Sequence, residues 1–126
     1  MNIVLWVLQL LLAVAFLLHG LLFLAPPPDI AAQMYAVLPV WFTIFLGIME
    51  VLAAIGLTLP GLTRIAPFLV TWAAVGIMIV TASATVFHLV RGEISSAVIT
   101  LLLLAMAAFL TYGRLRLLPI RARAAA

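Results

Sequence analysis

Four stretches of this chain are apolar at nearly every position, and each is long enough to cross the roughly 30 Å of hydrocarbon in a bilayer. They cover about residues 2–24, 40–59, 64–90 and 95–115. Within each, small and polar residues recur every three or four positions. The first carries Gln9, Ala13, Phe16 and Gly20, and the second Thr43, Gly47, Glu50, Ala54 and Thr58. The third carries Ala74, Thr81, Thr85 and His88, and the fourth Ser96, Thr100, Ala107 and Thr111. A stripe at that period lies on one face of a helix, where small side chains let neighbouring helices approach and the other faces meet lipid. The pattern predicts an all-α fold, an integral membrane bundle of four transmembrane helices.

The connections refine this picture. Three prolines, Pro26 to Pro28, end the first helix. Pro28 and Asp29 suit the first turn of a new helix, because proline lacks the donor that would go unpaired there and the acid complements the helix dipole. Residues 29–38 are too few to span, so a short interfacial helix is expected, with Tyr35 and Trp41 as aromatic anchors. Pro60 and Gly61 are expected to close the second helix. Thr63 is placed as N-cap and Pro67 in the first turn of the third, and Gly92 as its C-cap. Residues 1–126 then form a single transmembrane domain with a basic tail over 116–126 and no room for a soluble one.

Composition changes the picture in one respect. The chain is 69% hydrophobic and has six basic residues, all arginine, against three acids. Arg114, Arg116, Arg121 and Arg123 cluster near the C-terminus, where basic residues beside a span contact lipid headgroups and fix topology. With Arg64 they bias five of six arginines to one side, leaving Arg91, Asp29 and Glu93 on the other. Both termini are therefore expected in the cytoplasm. No polar surface or stacking platform accompanies the cluster, so nucleic acid is excluded as a partner and membrane lipids are expected. The absence of cysteine excludes disulfides and thiolate ligation by this chain. The N-terminal run lacks a basic leader and is too long for a signal peptide, so it is read as a retained span.

Glu50 is the first candidate for chemistry. A carboxyl group inside a membrane segment costs about 2.5–3.5 kcal/mol on insertion scales and marks a functional site by default. At about 1.5 Å per residue Glu50 lies about 15 Å in, His19 about 8 Å and His88 about 3 Å below the outer ends of their helices. With Arg91 at the rim, these residues suggest an outward-opening cavity with Glu50 at its base, binding a quinone or polar lipid head. The alternative is structural: the acid hydrogen-bonds across the bundle and fixes its register. Two histidines at different depths are a poor haem site, and no second carboxylate at matching depth completes a metal site. No nucleophile motif or phosphate loop is present, so catalysis by this chain on its own is not expected.

The glycine ending the first helix, the run GIMEVLAAIGLTLPGLTR (Gly47 to Arg64) and the H-x-x-R-G-E close of the third helix (His88 to Glu93) resemble the DoxX-like membrane proteins. The most specific part is G-x-x-E-x-x-x-x-x-G-L-x-L-P from Gly47 to Pro60. The resemblance implies a four-helix bundle of the bacterial cell (inner) membrane, some relatives being small subunits associated with quinone-linked oxidoreductases. Glu50 matches the family's acid and Gly20 its first-helix glycine. Phe23 stands where relatives often carry lysine. The expectation is an accessory subunit of a redox or quinone-linked complex, with a ligand near Glu50 and a membrane-protein partner or a second copy beside it. The alternatives are a non-catalytic structural or assembly subunit, or a small proton-linked transporter.

Overall fold

The computed structural model describes residues 1–125. Ala126, the last residue of the expected basic tail, lies outside the described residues. Four long apolar helices and one short helix make up the chain, with no strand among the described residues.

Helix α1 (Asn2–Leu24) stops where the proline run begins, and the Ala25 N–H caps it by bonding the Leu21 carbonyl. Helix α2 (Pro28–Tyr35) opens with Pro28 and has Asp29 in its first turn. It buries no residue. Tyr35 and Trp41 are exposed beside it.

Helix α3 (Val40–Thr63) differs from expectation at its end. It runs through Pro60 and Gly61 instead of stopping there. Both residues are buried, and a Cβ on Gly61 would stand 3.0 Å from Gln9 and Trp6 of α1. A proline in the last turn removes only one helical donor, and close packing against α1 holds that turn in place. The helix ends instead at Arg64, which takes the left-handed conformation with φ 60°. Thr63 belongs to this end and not to the next helix: its hydroxyl donates to the Leu59 carbonyl and accepts from the Ile65 N–H. Ala66 is also left-handed, at φ 49°, so helix α4 (Phe68–Val90) starts four residues later than expected, with Pro67 before it.

Gly92, with φ 71°, turns the chain after α4. Helix α5 (Ile94–Tyr112) continues into a π-helical turn, Gly113–Leu117, closed by the Leu118 N–H on the Gly113 carbonyl. The extra residue sits where α5 rests on α1: a Cβ on Gly113 would meet Leu5 at 2.5 Å. The following segment does not hang free. The Arg123 N–H bonds the Arg64 carbonyl at 2.8 Å, and Arg64 Nε bonds the Arg121 carbonyl at 3.1 Å. Residues 118–123 thus form a strap across the α3–α4 turn.

The closest pairs are α1 with α3 and α4 with α5, joined by α3 against α4 and more lightly by α1 against α5. Leu5, Leu12 and Phe16 of α1, Leu57 of α3, Ile77 of α4 and Leu110 of α5 anchor the core. Most other large apolar side chains point outward, as they must when the solvent is lipid. Buried threonines return their hydroxyls to their own helix, as Thr81 does to Ile77. Two cross between helices: Thr85 meets Thr100 at 2.9 Å, and Thr111 donates to the Met78 sulfur at 3.4 Å.

Backbone meets backbone at Gly20 and Gly47. A Cβ on Gly20 would stand 2.9 Å from the Gly47 carbonyl oxygen, and one on Gly47 would stand 2.9 Å from the Gly20 carbonyl oxygen and 2.8 Å from Leu24. Gly76 of α4 has nothing within 4 Å of such a Cβ. Gly47→Val is expected to cost about 1–3 kcal/mol through overpacking. Gly76→Ala is expected to leave stability unchanged or raise it by up to about 1 kcal/mol through helix propensity. Thermal unfolding of both variants in detergent, followed by circular dichroism, checks the contrast.

Candidate functional site

The glycine contact sets the register of α1 against α3 and so determines what flanks it. His19 precedes Gly20, and Glu50 lies three residues, about one turn, after Gly47. Their side chains meet: His19 Nδ1 stands 2.6 Å from Glu50 Oε2. Glu50 is 3% exposed, while the His19 side chain is 51% exposed at the lipid-facing surface. The Phe23 ring, one turn further along α1, packs on the imidazole with centroids 4.4 Å apart. The pair is neutral overall whether its proton rests on nitrogen or on oxygen, so it can remain out of water without a bare charge. With the proton on the imidazole, the carboxylate is an acceptor. With it on the carboxyl, Glu50 becomes a donor. His19 Nε2 makes no hydrogen bond among the described residues.

On its other side Glu50 borders a groove of about 410 Å³ between α3 and α4. Phe16 closes the groove from behind, and Gly56, Trp72, Gly76 and Val80 form part of its walls. Glu50 is the one ionisable residue among them. Gly76 leaves space open in the wall, since a Cβ there would meet nothing within 4 Å, whereas Gly56 lets α3 approach α4, a Cβ there standing 3.0 Å from Ala73. The groove extends along α3 from Met49 to Pro60 and along α4 from Leu69 to Val80. The sequence suggested a cavity descending to Glu50 from the α4–α5 turn. The structure places the space on the opposite side of Glu50, towards the end that carries both termini, and opening sideways.

His88 and Arg91 are not part of this site. His88 Nδ1 bonds Glu93 Oε2, and Arg91 Nε bonds Glu93 Oε1 at 2.9 Å. The Arg91 guanidinium also lies 5.4 Å from the Phe87 ring centroid. This cluster closes the α4–α5 hairpin, where the left-handed turn at Gly92 brings Glu93 back to His88 and Arg91 at the end of α4. No hydrogen bond or ion pair among the described residues joins it to His19 and Glu50. Each histidine uses its Nδ1 on a different carboxylate, and no three His, Cys, Asp or Glu side chains gather among the described residues.

The four C-terminal arginines separate. Arg116, Arg121 and Arg123 are exposed. Arg114 is buried, at 3% exposure. It donates from Nε to Gln9 Oε1 at 3.1 Å and from Nη1 to Asn2 Oδ1 at 2.9 Å, with Trp6 stacked against it at 5.1 Å. Gln9 in turn donates to the Leu57 carbonyl, tying α1 to α3. Sequence reasoning grouped Arg114 with the surface charges. The signal for burial was its spacing: Ala107, Thr111 and Arg114 continue the inward stripe of α5, and Asn2, Trp6 and Gln9 form the matching stripe of α1.

The chain is thus a membrane protein with four candidate spans and a single buried acid at a helix–helix contact. Residues 7–110 match the model of the DoxX-like family, and the chain belongs to that family. No curated protein and no solved structure matches it.

Glu93 lies between two spans and yields a pH prediction. Its hydrogen bond from His88, and then that from Arg91, hold its carboxyl below the ordinary 4.5. Because folding lowers it, Glu93 contributes stability above about that ordinary value and loses it as pH falls through the lower folded one. Carbon-13 labelling of the two glutamates gives two carboxyl resonances. That of Glu93 is expected to titrate below 4.5 and to move upward in Arg91→Gln.

Proposed function

We propose that this protein holds an apolar molecule with a polar head, a quinone or a lipid, in the groove between α3 and α4, as an accessory subunit of a membrane redox complex. The observation that carries the reading is Glu50: the one ionisable side chain in an apolar wall, backed by a histidine that can exchange its proton. A quinone presents carbonyl oxygens that accept hydrogen bonds, and its reduced form presents hydroxyls that donate them. Glu50 suits both, as donor when it holds the proton and as acceptor when His19 does. The walls formed by Gly56, Trp72 and Gly76 suit the tail, and the sideways opening admits it from lipid.

A bound quinone would supply the redox chemistry, while this chain would bind, orient and shield the head and exchange one proton at Glu50. Family membership favours a bacterial inner membrane. The collection of Arg64, Arg114, Arg116, Arg121 and Arg123 at one end favours a cytoplasmic location for both termini.

Chromatography and mass spectrometry of small molecules extracted from purified protein test this reading. Wild type is expected to retain a quinone or lipid near one per chain. Glu50→Leu removes a hydrogen bond to the head and is expected to weaken retention by about 10–100-fold. Gly76→Phe fills the groove and should do the same while preserving the melting temperature. Equal recovery from all three proteins would remove the ligand-holding role and leave assembly of a larger complex as the function.

A further inference from the structure

Arg114 presents a charge that the fold does not neutralise. A guanidinium remains protonated at any physiological pH. This one is 3% exposed, and all its partners are neutral: Gln9 Oε1, Asn2 Oδ1, the Leu118 carbonyl at 3.3 Å and the Trp6 ring. No carboxylate among the described residues lies within ion-pair distance. Its Nη2 is buried without a hydrogen-bond partner among the described residues. A buried charge left without a counter-charge is costly. A water molecule could satisfy the free donor but not the charge.

Arg114 also lines a second groove, of about 330 Å³, at the end of the bundle that carries both termini. Pro67, with Phe68 and Thr71 at the start of α4, forms one wall, and Leu115, Pro119 and Ile120 form the other. Thr71 is distinctive. Every other threonine bonds a carbonyl of its own helix, whereas the Thr71 hydroxyl makes no hydrogen bond among the described residues. The groove is therefore lined by the residue that bears the uncompensated cation, by a free hydroxyl and by apolar side chains. Arg114 lies twenty residues beyond the start of α5, about 30 Å along it, which puts it at the depth of headgroups.

We propose that this groove binds a phosphate-bearing anion, with the phosphate taken by Arg114 and Thr71 and any attached glycerol and chains resting on Phe68, Pro119 and Ile120. The planar fork of arginine matches phosphate oxygens, and the exposed Arg116, Arg121 and Arg123 concentrate anions at the same end. The source is either the headgroup of an anionic phospholipid or free phosphate. The site is separate from the Glu50 groove and does not depend on it.

The test uses the full chain in neutral detergent, with melting temperature measured in phosphatidylglycerol, in phosphatidylcholine and in inorganic phosphate. Phosphatidylglycerol is expected to raise the midpoint by roughly 5 °C over phosphatidylcholine. Thr71→Trp, which fills the groove without touching the hydrogen bonds of Arg114, is expected to abolish that rise. Ala122→Trp, which closes the groove from the strap, should do so independently, so misfolding of one variant leaves the other decisive. An equal rise with inorganic phosphate identifies free phosphate as the source, and its absence identifies the lipid. No difference between the two lipids and no effect of phosphate overturns the proposal. So does a rise that survives in the Trp variants but vanishes when Arg116, Arg121 and Arg123 are all changed to Gln, because the anion then binds the surface charges.

Discussion

Where Gly20 meets Gly47, two helix backbones touch with no side chain between them, and the rest of the bundle inherits its register from that contact. One residue from it, His19 faces α3. One turn from it, Glu50 faces α1. A shift of one turn at this crossing would leave the carboxyl against apolar neighbours and the imidazole against lipid. In a soluble protein, water would soften such an error. In hydrocarbon nothing does, and so the smallest residues occupy the place where the tolerance is smallest.

The same constraint explains how each charged group in the bundle is handled. Glu50 has a histidine beside it, and one proton shared between the two leaves the pair without net charge. Glu93 is offset by His88 and Arg91 at a hairpin end, where water and headgroups also assist. Arg64 and Arg121 join through a backbone carbonyl at the surface. Arg114 is handled differently: it is surrounded by neutral dipoles from Asn2, Gln9 and Leu118 and keeps its full charge. The third acid, Asp29, sits in the first turn of α2 at the opposite end of the bundle, and that separation distinguishes the two ends chemically.

Much of the architecture was legible because lipid makes the code simple. Long apolar runs, a proline triplet and stripes of small residues specify the four spans and the short helix between the first two. Reading failed where packing overruled local preference. Pro60 and Gly61 look like a stop, yet the last turn of α3 survives because it lies against Trp6 and Gln9. Thr63 looks like the start of a helix and instead ends one. Glu50 and His19 were both visible as candidates, but their meeting was not, since it depends on the crossing of α1 and α3 and not on spacing within either. The position of the groove was equally hidden: it depends on how α3 and α4 cross, with Gly56 against Ala73 and Gly76 left open. Arg114 was misplaced because its proximity to three surface arginines outweighed its position on the inward stripe of α5.

The ties at the terminal end have a consequence for how the molecule is made. Arg114 bonds Asn2 and Gln9 across more than a hundred residues of sequence, and the strap reaches back from Arg123 to Arg64. The polar groups of α1 near the membrane surface therefore wait for the end of α5 before they meet the Arg114 guanidinium. The α1–α3 contact can close during synthesis, as can α3 against α4 and the α4–α5 hairpin, but the polar clasp between α1 and the end of α5 forms only once Arg114 has been made. Synthesis of the fourth span and closure of the clasp are therefore coupled, and a product truncated before Arg114 lacks the polar tie between α1 and α5.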